Sequence, residues 1–409
     1  MPPSQCPVAA LDPAGADVHG EADRLRAHGA AALVTLPGDI PAWVITDHGE
    51  LRGLLADPRV SKDPRQHWPA WINGEVPGDW PLISWVGVDN MFTAFGSEHT
   101  RLRGLVAKAF TPRRVEALRP RIEQITAELL DELAAERGGE PVDLRSAFTY
   151  PLPIAVITDL FGVPAELRGT LRHIVDEVFR TSATPEETAA TAAQMGQFLA
   201  DLIESKRRNP GDDLTSGLLA ARDDEENRLS ERELADTLIL MIGAGHETTV
   251  NLLGQAVVAL TTHPRQRAAL RAGDLSWDDV VEETLRWQPA LANVPLRFAT
   301  TEIKLADGTV IAEGDAILAS YAAANRDPGH YDEPDVFDAG RGARDHLAFG
   351  FGPHFCLGAA LARLEAHIAL PALFARFPEL ELAVSDGELE SSESFISNGP
   401  QRLPVRLAG

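Results

Sequence analysis

Along much of the chain, apolar residues recur at three- and four-residue spacing. This helical pattern dominates from Glu98 to about Leu260, with breaks at Pro112, Pro141, Pro164 and Pro210-Gly211. Before it, residues 33–46 read as two short strands around a Pro-Gly-Asp turn, the second containing Trp43-Val44-Ile45. From about Pro295 the period shifts towards strand, and Leu305 to Val310 reads as a hairpin turning at Asp307-Gly308. Residues 326–355 carry no period and are rich in Pro, Gly, Asp and His; a stretch of that length inside a compact chain is usually functional or disordered. A helix resumes at Leu357 and runs to about Phe377, and short strands close the chain near 395–407. No repeat or linker divides this order. The pattern predicts a mainly α fold with a small β region, as one domain over residues 1–409.

One predicted helix differs from the rest. Ser230 and Glu233 form a capping-box pair. The apolar run behind them reaches about Leu260, roughly 30 residues or ~45 Å. It is apolar nearly all round through Leu238–Ile242 and Val250–Leu260, which predicts a helix at the centre of the protein. Its middle, Ala244-Gly245-His246-Glu247-Thr248-Thr249, brings a glycine, an acid and two hydroxyls into that core. Gly243 and Gly245 each cost about 1 kcal/mol against Ala. A Thr hydroxyl can bond back to a carbonyl one turn earlier and open the ladder, so local widening is expected here.

Composition narrows the function. The formal net charge of -24 argues against nucleic acid and against anionic membrane surfaces as partners. No apolar run approaches the ~20 residues of a membrane span. The start Met-Pro-Pro-Ser-Gln-Cys is neither basic nor apolar, so no secretory signal is expected and the chain reads as cytoplasmic. Two cysteines, Cys6 and Cys356, exclude a four-cysteine zinc site and suit a reducing compartment. The acidity has a local reversal. Arg101, Arg103, Lys108, Arg113, Arg114, Arg119 and Arg121 share a stretch with the single acid Glu116, which reads either as a docking face for an acidic partner or as a solvated helix face.

The segment Phe349-Gly350-Phe351-Gly352-Pro353-His354-Phe355-Cys356-Leu357-Gly358 sets Cys356 behind a glycine-rich loop at a helix start. Free N–H groups and the helix dipole there favour a thiolate, which is a metal ligand or a nucleophile. His246-Glu247 is not a zinc-protease start, because position 250 is Val where a second His is required.

Phe349-x-x-Gly352-x-x-x-Cys356-x-Gly358 resembles the haem-binding signature of the cytochrome P-450 superfamily. The central-helix segment resembles that family's oxygen-activating motif, and Glu283-Thr284-Leu285-Arg286 its Glu-x-x-Arg pair. The resemblance runs over about the whole chain. It is nearest to soluble actinobacterial members that oxidise steroids, macrolides and polyketides, with Ser61-Lys62-Asp63-Pro64-Arg65 and Phe395-Ile396-Ser397-Asn398-Gly399 in support. It implies the P-450 fold and haem b (iron protoporphyrin IX), with Cys356 as axial thiolate ligand and Ala244, Phe349, Gly350 and Gly358 against the cofactor. His99, Arg103, Arg297 and His354 match the positions that hold the haem propionates. Glu283 and Arg286 become a buried structural pair. Many relatives add an Arg from a Pro-Asp-Arg-Phe segment; here it reads Pro334-Asp335-Val336-Phe337, and Arg341 is the candidate substitute.

The same resemblance implies a monooxygenase that inserts one atom of O2 into a C–H bond. Thr248 and Glu247 would deliver protons to the oxidant. Electrons would come from NAD(P)H through a ferredoxin reductase and a ferredoxin, since the chain shows no flavin or iron–sulfur segment. Trp85, Phe92, Leu240, Ala244, Leu291, Val294 and Ile396 would line an apolar small-molecule pocket in a monomer. A peroxide-driven peroxygenase is the enzymatic alternative, and a haem sensor or gas carrier the non-enzymatic one. Glu247-Thr248 argues against the first; a sensor has no need of the proton relay.

Overall fold

The structure, a computed structural model, describes residues 6–108, 110–135, 140–222, 229–342 and 344–407. The central helix runs from Glu231 to Thr262, capped by the expected box: the Ser230 side chain accepts from the Glu233 N–H and the Glu233 carboxylate accepts from the Ser230 N–H. Twenty of its residues are buried. Helices Arg119–Ala135, Pro151–Leu160, Trp277–Trp287 and Ala359–Arg376 pack together with it in one apolar core, where Leu252, Leu253, Val257, Leu285, Leu370 and Leu373 are at most 2% exposed.

The expected widening is absent from the central helix, which stays α throughout. Thr248 Oγ1 donates to the Ala244 carbonyl at 2.7 Å without opening the ladder. A π turn occurs instead at Arg145–Thr149, leading into the Pro151–Leu160 helix that crosses the central one. Gly245 marks the crossing: a Cβ there would come within 3.0 Å of Ile157 Cγ1. The glycine therefore answers to helix approach, not to helix distortion.

The β region is a six-stranded sheet in the order Ala9–Ala10, Ala31–Leu36, Ile40–Ile45, Ala316–Ser320, Asn293–Ala299, Val60–Ser61. It joins the start of the chain to residues 293–320, while the closing strand expected near 395–407 lies in a separate sheet. The hairpin at Asp307-Gly308 forms, but its paired residues are Ile303–Lys304 and Val310–Ile311, so Leu305 belongs to the turn side. In the Asn293–Ala299 strand the register shifts between Val294 and Arg297. Pro295 lies in that bulge, where its missing N–H removes no ladder bond. Pairs Pro404–Arg406 with Val142–Asp143 and with Glu381–Leu382 make a small second sheet beside the helical core.

Candidate functional site

The cysteine loop is shaped by backbone and glycine. The Cys356 N–H donates to the Phe349 carbonyl at 2.8 Å, closing the loop. Gly350 and Gly352 both hold left-handed φ, +70° and +71°, and a Cβ on Gly352 would lie 2.7 Å from the Leu55 carbonyl. The following helix begins at Ala359, with Gly358 as N-cap, so Cys356 sits two residues before the cap. Its residue surface is open. Enough protein still surrounds the sulfur that desolvation pushes the thiol up, opposed by the Gly358 and Ala359 N–H groups and by the Arg103 and Arg363 guanidiniums. In the protein alone the helix start thus lessens the burial effect without reversing it; a bound cation at the sulfur would deprotonate it.

One brace holds the loop directly, and a second network ties down the irregular segment before it. Arg363 stacks on the Phe349 ring at 4.6 Å and donates to Glu282 at 2.5 and 2.8 Å. Against desolvation, Arg363 and His346 keep the Glu282 carboxyl down at about 2. Glu283 and Arg286 form the expected buried pair at 2.7 and 2.8 Å. Arg286 also donates to the carbonyls of Asn325, Pro334 and Val336 at 2.8–3.0 Å. Arg341 reaches Glu283 at 3.5 Å, so it takes the place open in the Pro334-Asp335-Val336-Phe337 segment. In residues 326–342 the carbonyls of Asp332, Glu333, Pro334 and Val336 accept from these two arginines, which holds an otherwise irregular segment in place.

On the Gly96–Ala107 helix, His99 and Arg103 share a face as their spacing requires. The His99 ring lies 4.1 Å from that of His354, and Arg103 donates to the Phe355 carbonyl at 2.7 Å. Nε2 of buried His99 and Nη1 of buried Arg297 have no hydrogen-bond partner. Lys62, which sequence reasoning left outside the site, is buried among these bases and acts on His354 together with His99, Arg297 and Arg103.

The central helix presents different groups to different sides. Ala244 is exposed and Thr248 half-buried, between two buried stretches of the helix. Leu357, next to Cys356, packs in the same core cluster as Met241 and Ile242, which sets the cysteine loop beside this helix. Glu247 is 3% exposed and paired to Arg145 of the π turn at 3.0 and 3.1 Å. Ser397 donates to the same carboxylate at 3.3 Å and accepts from Asn251 at 2.8 Å. Burial pushes the Glu247 carboxyl up and Arg145 opposes it. Arg145, Tyr150, Asp176, Glu247 and Ser397 line a polar cleft of about 340 Å³. Arg145 had no signal in the sequence, since about a hundred residues separate it from Glu247. Of the apolar candidates, Trp85, Phe92, Leu240 and Leu291 are half-buried, with Trp85 edge-on to Phe92 at 6.2 Å. Val294 and Ile396 are 4% and 0% exposed and pack in the clusters that also take in Phe92, Trp85 and Leu291.

The family model for cytochrome P450 matches residues 174–273 and 277–402. The 2-hydroxy-5-methyl-1-naphthoate 7-hydroxylase of Streptomyces carzinostaticus is 46% identical over 405 residues, 99% of this chain and 98% of its own. CYP154A1 of Streptomyces coelicolor A3(2) superposes with a TM-score of 0.94 at 54% identity, covering 98% of this chain and all of the other. CYP154C4 of Streptomyces sp. ATCC 11861, solved with testosterone bound, gives 0.94 at 46% identity, covering 98% of each chain. The chain belongs to the cytochrome P450 family and is a P450 monooxygenase. That family uses a haem–thiolate iron cofactor. The residues present suit one: an exposed cysteine whose sulfur meets two N–H donors, two partnerless basic nitrogens among five basic side chains, and exposed Ala244 in the helix alongside.

Proposed function

We propose that the chain hydroxylates a bulky apolar small molecule, with haem b as cofactor and electrons from NAD(P)H through a ferredoxin reductase and a ferredoxin. The carrying observation is the division of the central helix between Thr248 and Glu247. Cys356 would ligate the haem, which when bound supplies the activation of O2, and Ala244, Phe349, Gly350 and Gly358 would lie against it. His99, Arg103, Arg297 and His354 would hold its propionates. Thr248 keeps its hydroxyl on the Ala244 carbonyl and, by rotating, can offer that proton to the reacting oxygen. Glu247 stands between that residue and the polar cleft, where its Oε1 can receive a proton from water and pass it inward past Ser397. The ion pair with Arg145 has to loosen for Glu247 to take a proton.

Fused-ring polyketides or steroids are the substrate class we favour. The named relatives act on a naphthoate and bind testosterone, and Trp85, Phe92, Leu240 and Leu291 offer half-buried apolar walls for such rings. For the electron donor we favour Lys108, Arg113 and Arg114, which are exposed. Arg101, Arg119 and Arg121 are engaged by Glu98 and Glu233, Glu116, and Asp159. A net charge of -24 and no described helix able to cross a membrane support a cytoplasmic monomer.

The ferrous–CO complex should show the strongly red-shifted Soret band of thiolate ligation, and Cys356→His should lose it. Thr248→Ala should keep haem and substrate binding while NAD(P)H consumption yields hydrogen peroxide in place of product. Wild-type coupling in Thr248→Ala would reduce that residue to helix packing. Turnover by added peroxide, with none from NAD(P)H and surrogate partners, would favour the peroxygenase.

A further inference from the structure

Lys62 follows the edge strand Val60–Ser61, which pairs with Phe298 and Ala299 next to Arg297. It is 2% exposed. An ammonium carries three donors. Its Nζ donates to the Pro295 carbonyl at 3.3 Å and lies 3.5 Å from the centroid of the Phe92 ring. A carbonyl and an aromatic face are weak compensation for a desolvated charge. The neighbours increase the cost. Arg297 is 5% exposed with Nη1 unpartnered, His99 has Nε2 unpartnered, and Arg103 binds only the Phe355 carbonyl. Among the described residues none of Lys62, His99, Arg103, Arg297 and His354 makes an ion pair, and the charges acting on His354 are the other four. Burial and Arg297 push the Lys62 ammonium well below its ordinary range. Lys62 and Arg297 are thus two buried cations without a counter-charge, and such groups are sustained by an anion.

We propose that Lys62 is a carboxylate anchor, working beside Arg297 at the edge of the pocket. The bulge at Pro295 supports this: it aims the carbonyl at Nζ and re-aims Arg297 after the register shift. Two carboxylates could come here. One is a haem propionate, since Arg297 and His354 belong to the same nest. The other is an acid group on the substrate, since Phe92 beneath the ammonium also packs edge-on to Trp85 of the pocket. The first source rests on the haem reading above.

The test uses haem-loaded Lys62→Met, which keeps the length of the side chain and removes its charge. Haem transfer to excess apomyoglobin, the midpoint potential, and spin-state titrations with 1-naphthoic acid and its methyl ester are compared with wild type. A propionate anchor gives haem transfer about tenfold faster, the factor that 1.4 kcal/mol supplies, and a lower midpoint potential because a cation near the iron is gone. A substrate anchor leaves haem transfer unchanged and weakens the acid about tenfold but not the ester. Phe92→Leu, which keeps the charge, controls for packing; equal haem loss from it overturns the anchor. So does a Lys62→Met protein within twofold of wild type in all three readouts. A wild type that takes up no haem fails the haem reading instead, and is thereby distinguished.

Discussion

Glu365 offers the sharpest energetic test of the core. It lies in the helix after the cysteine loop, 0% exposed, and neither carboxylate oxygen has a hydrogen-bond partner. Burial pushes its carboxyl up to about 8 from 4.5. Between those values the folded chain keeps the proton and the unfolded chain releases it, so stability falls as pH rises, by about 1.4 kcal/mol per unit. The contribution is fully present below pH ~4.5 and is lost through pH ~8, costing about 3 kcal/mol at pH 7. Glu365→Gln keeps the shape and the unmet polar atoms but cannot ionise. Its stability relative to wild type should therefore rise by about 3 kcal/mol between pH 5 and pH 8. For a chain of this length that is on the order of 3–4 °C in Tm. The assay is thermal unfolding of both holoenzymes across pH 5–8, followed by circular dichroism and by the Soret band. Parallel stability curves for the two proteins would refute the reasoning, because they would mean Glu365 shares its charge with an unseen partner or with water.

Three further outcomes follow from named contacts. Gly245→Ala gains about 1 kcal/mol of helix propensity, yet overpacking against Ile157 costs more; the urea midpoint should fall by roughly 1 kcal/mol of stability. Arg286→Lys loses the paired bonds to Glu283 and three carbonyl contacts, and breaking such a buried pair costs about 3–5 kcal/mol; haem incorporation during expression should fall sharply, measured as Soret absorbance per protein. Arg113→Glu with Arg114→Glu should slow ferredoxin-driven reduction at low salt and lose the difference near 1 M, where the Debye length is ~3 Å; stopped-flow rates unchanged at low salt would return these charges to a solvated face.

Much of this architecture is legible in the residues. Ser230 and Glu233 announce the central helix because a cap is a local interaction, and the glycine spacing announces the cysteine loop because only left-handed φ closes it at Gly350 and Gly352. Glu283 with Arg286 is legible for the same reason, three residues apart on one helix. What escaped is non-local. Arg145 meets Glu247 only because a π turn and a helix crossing bring them together. Lys62 joins the basic nest through sheet pairing with residues 298–299. Val294 and Ile396 show the limit of side-chain type: pocket wall and core use the same apolar residues, and these two are buried in clusters that include Phe92, Trp85 and Leu291.

The central helix links these observations into one physical chain. A glycine at position 245 permits the Pro151–Leu160 helix to lie close, with Ile157 filling the space a Cβ would take. That approach brings the preceding π turn over the next turn of the central helix, and Arg145 onto Glu247. The guanidinium then opposes the desolvation that would otherwise leave Glu247 neutral. A carboxylate held between these two influences is easier to protonate than an ordinary surface acid and still has a charge partner, which suits it to passing a proton. The helix-weakening residues therefore act together: the glycine sets the approach, the approach sets the charge partner, and the partner sets the acid. Stability lost at Gly245 and Glu247 is offset by the apolar turns on either side, Leu238–Ile242 and Val250–Leu260, which anchor the helix in the core.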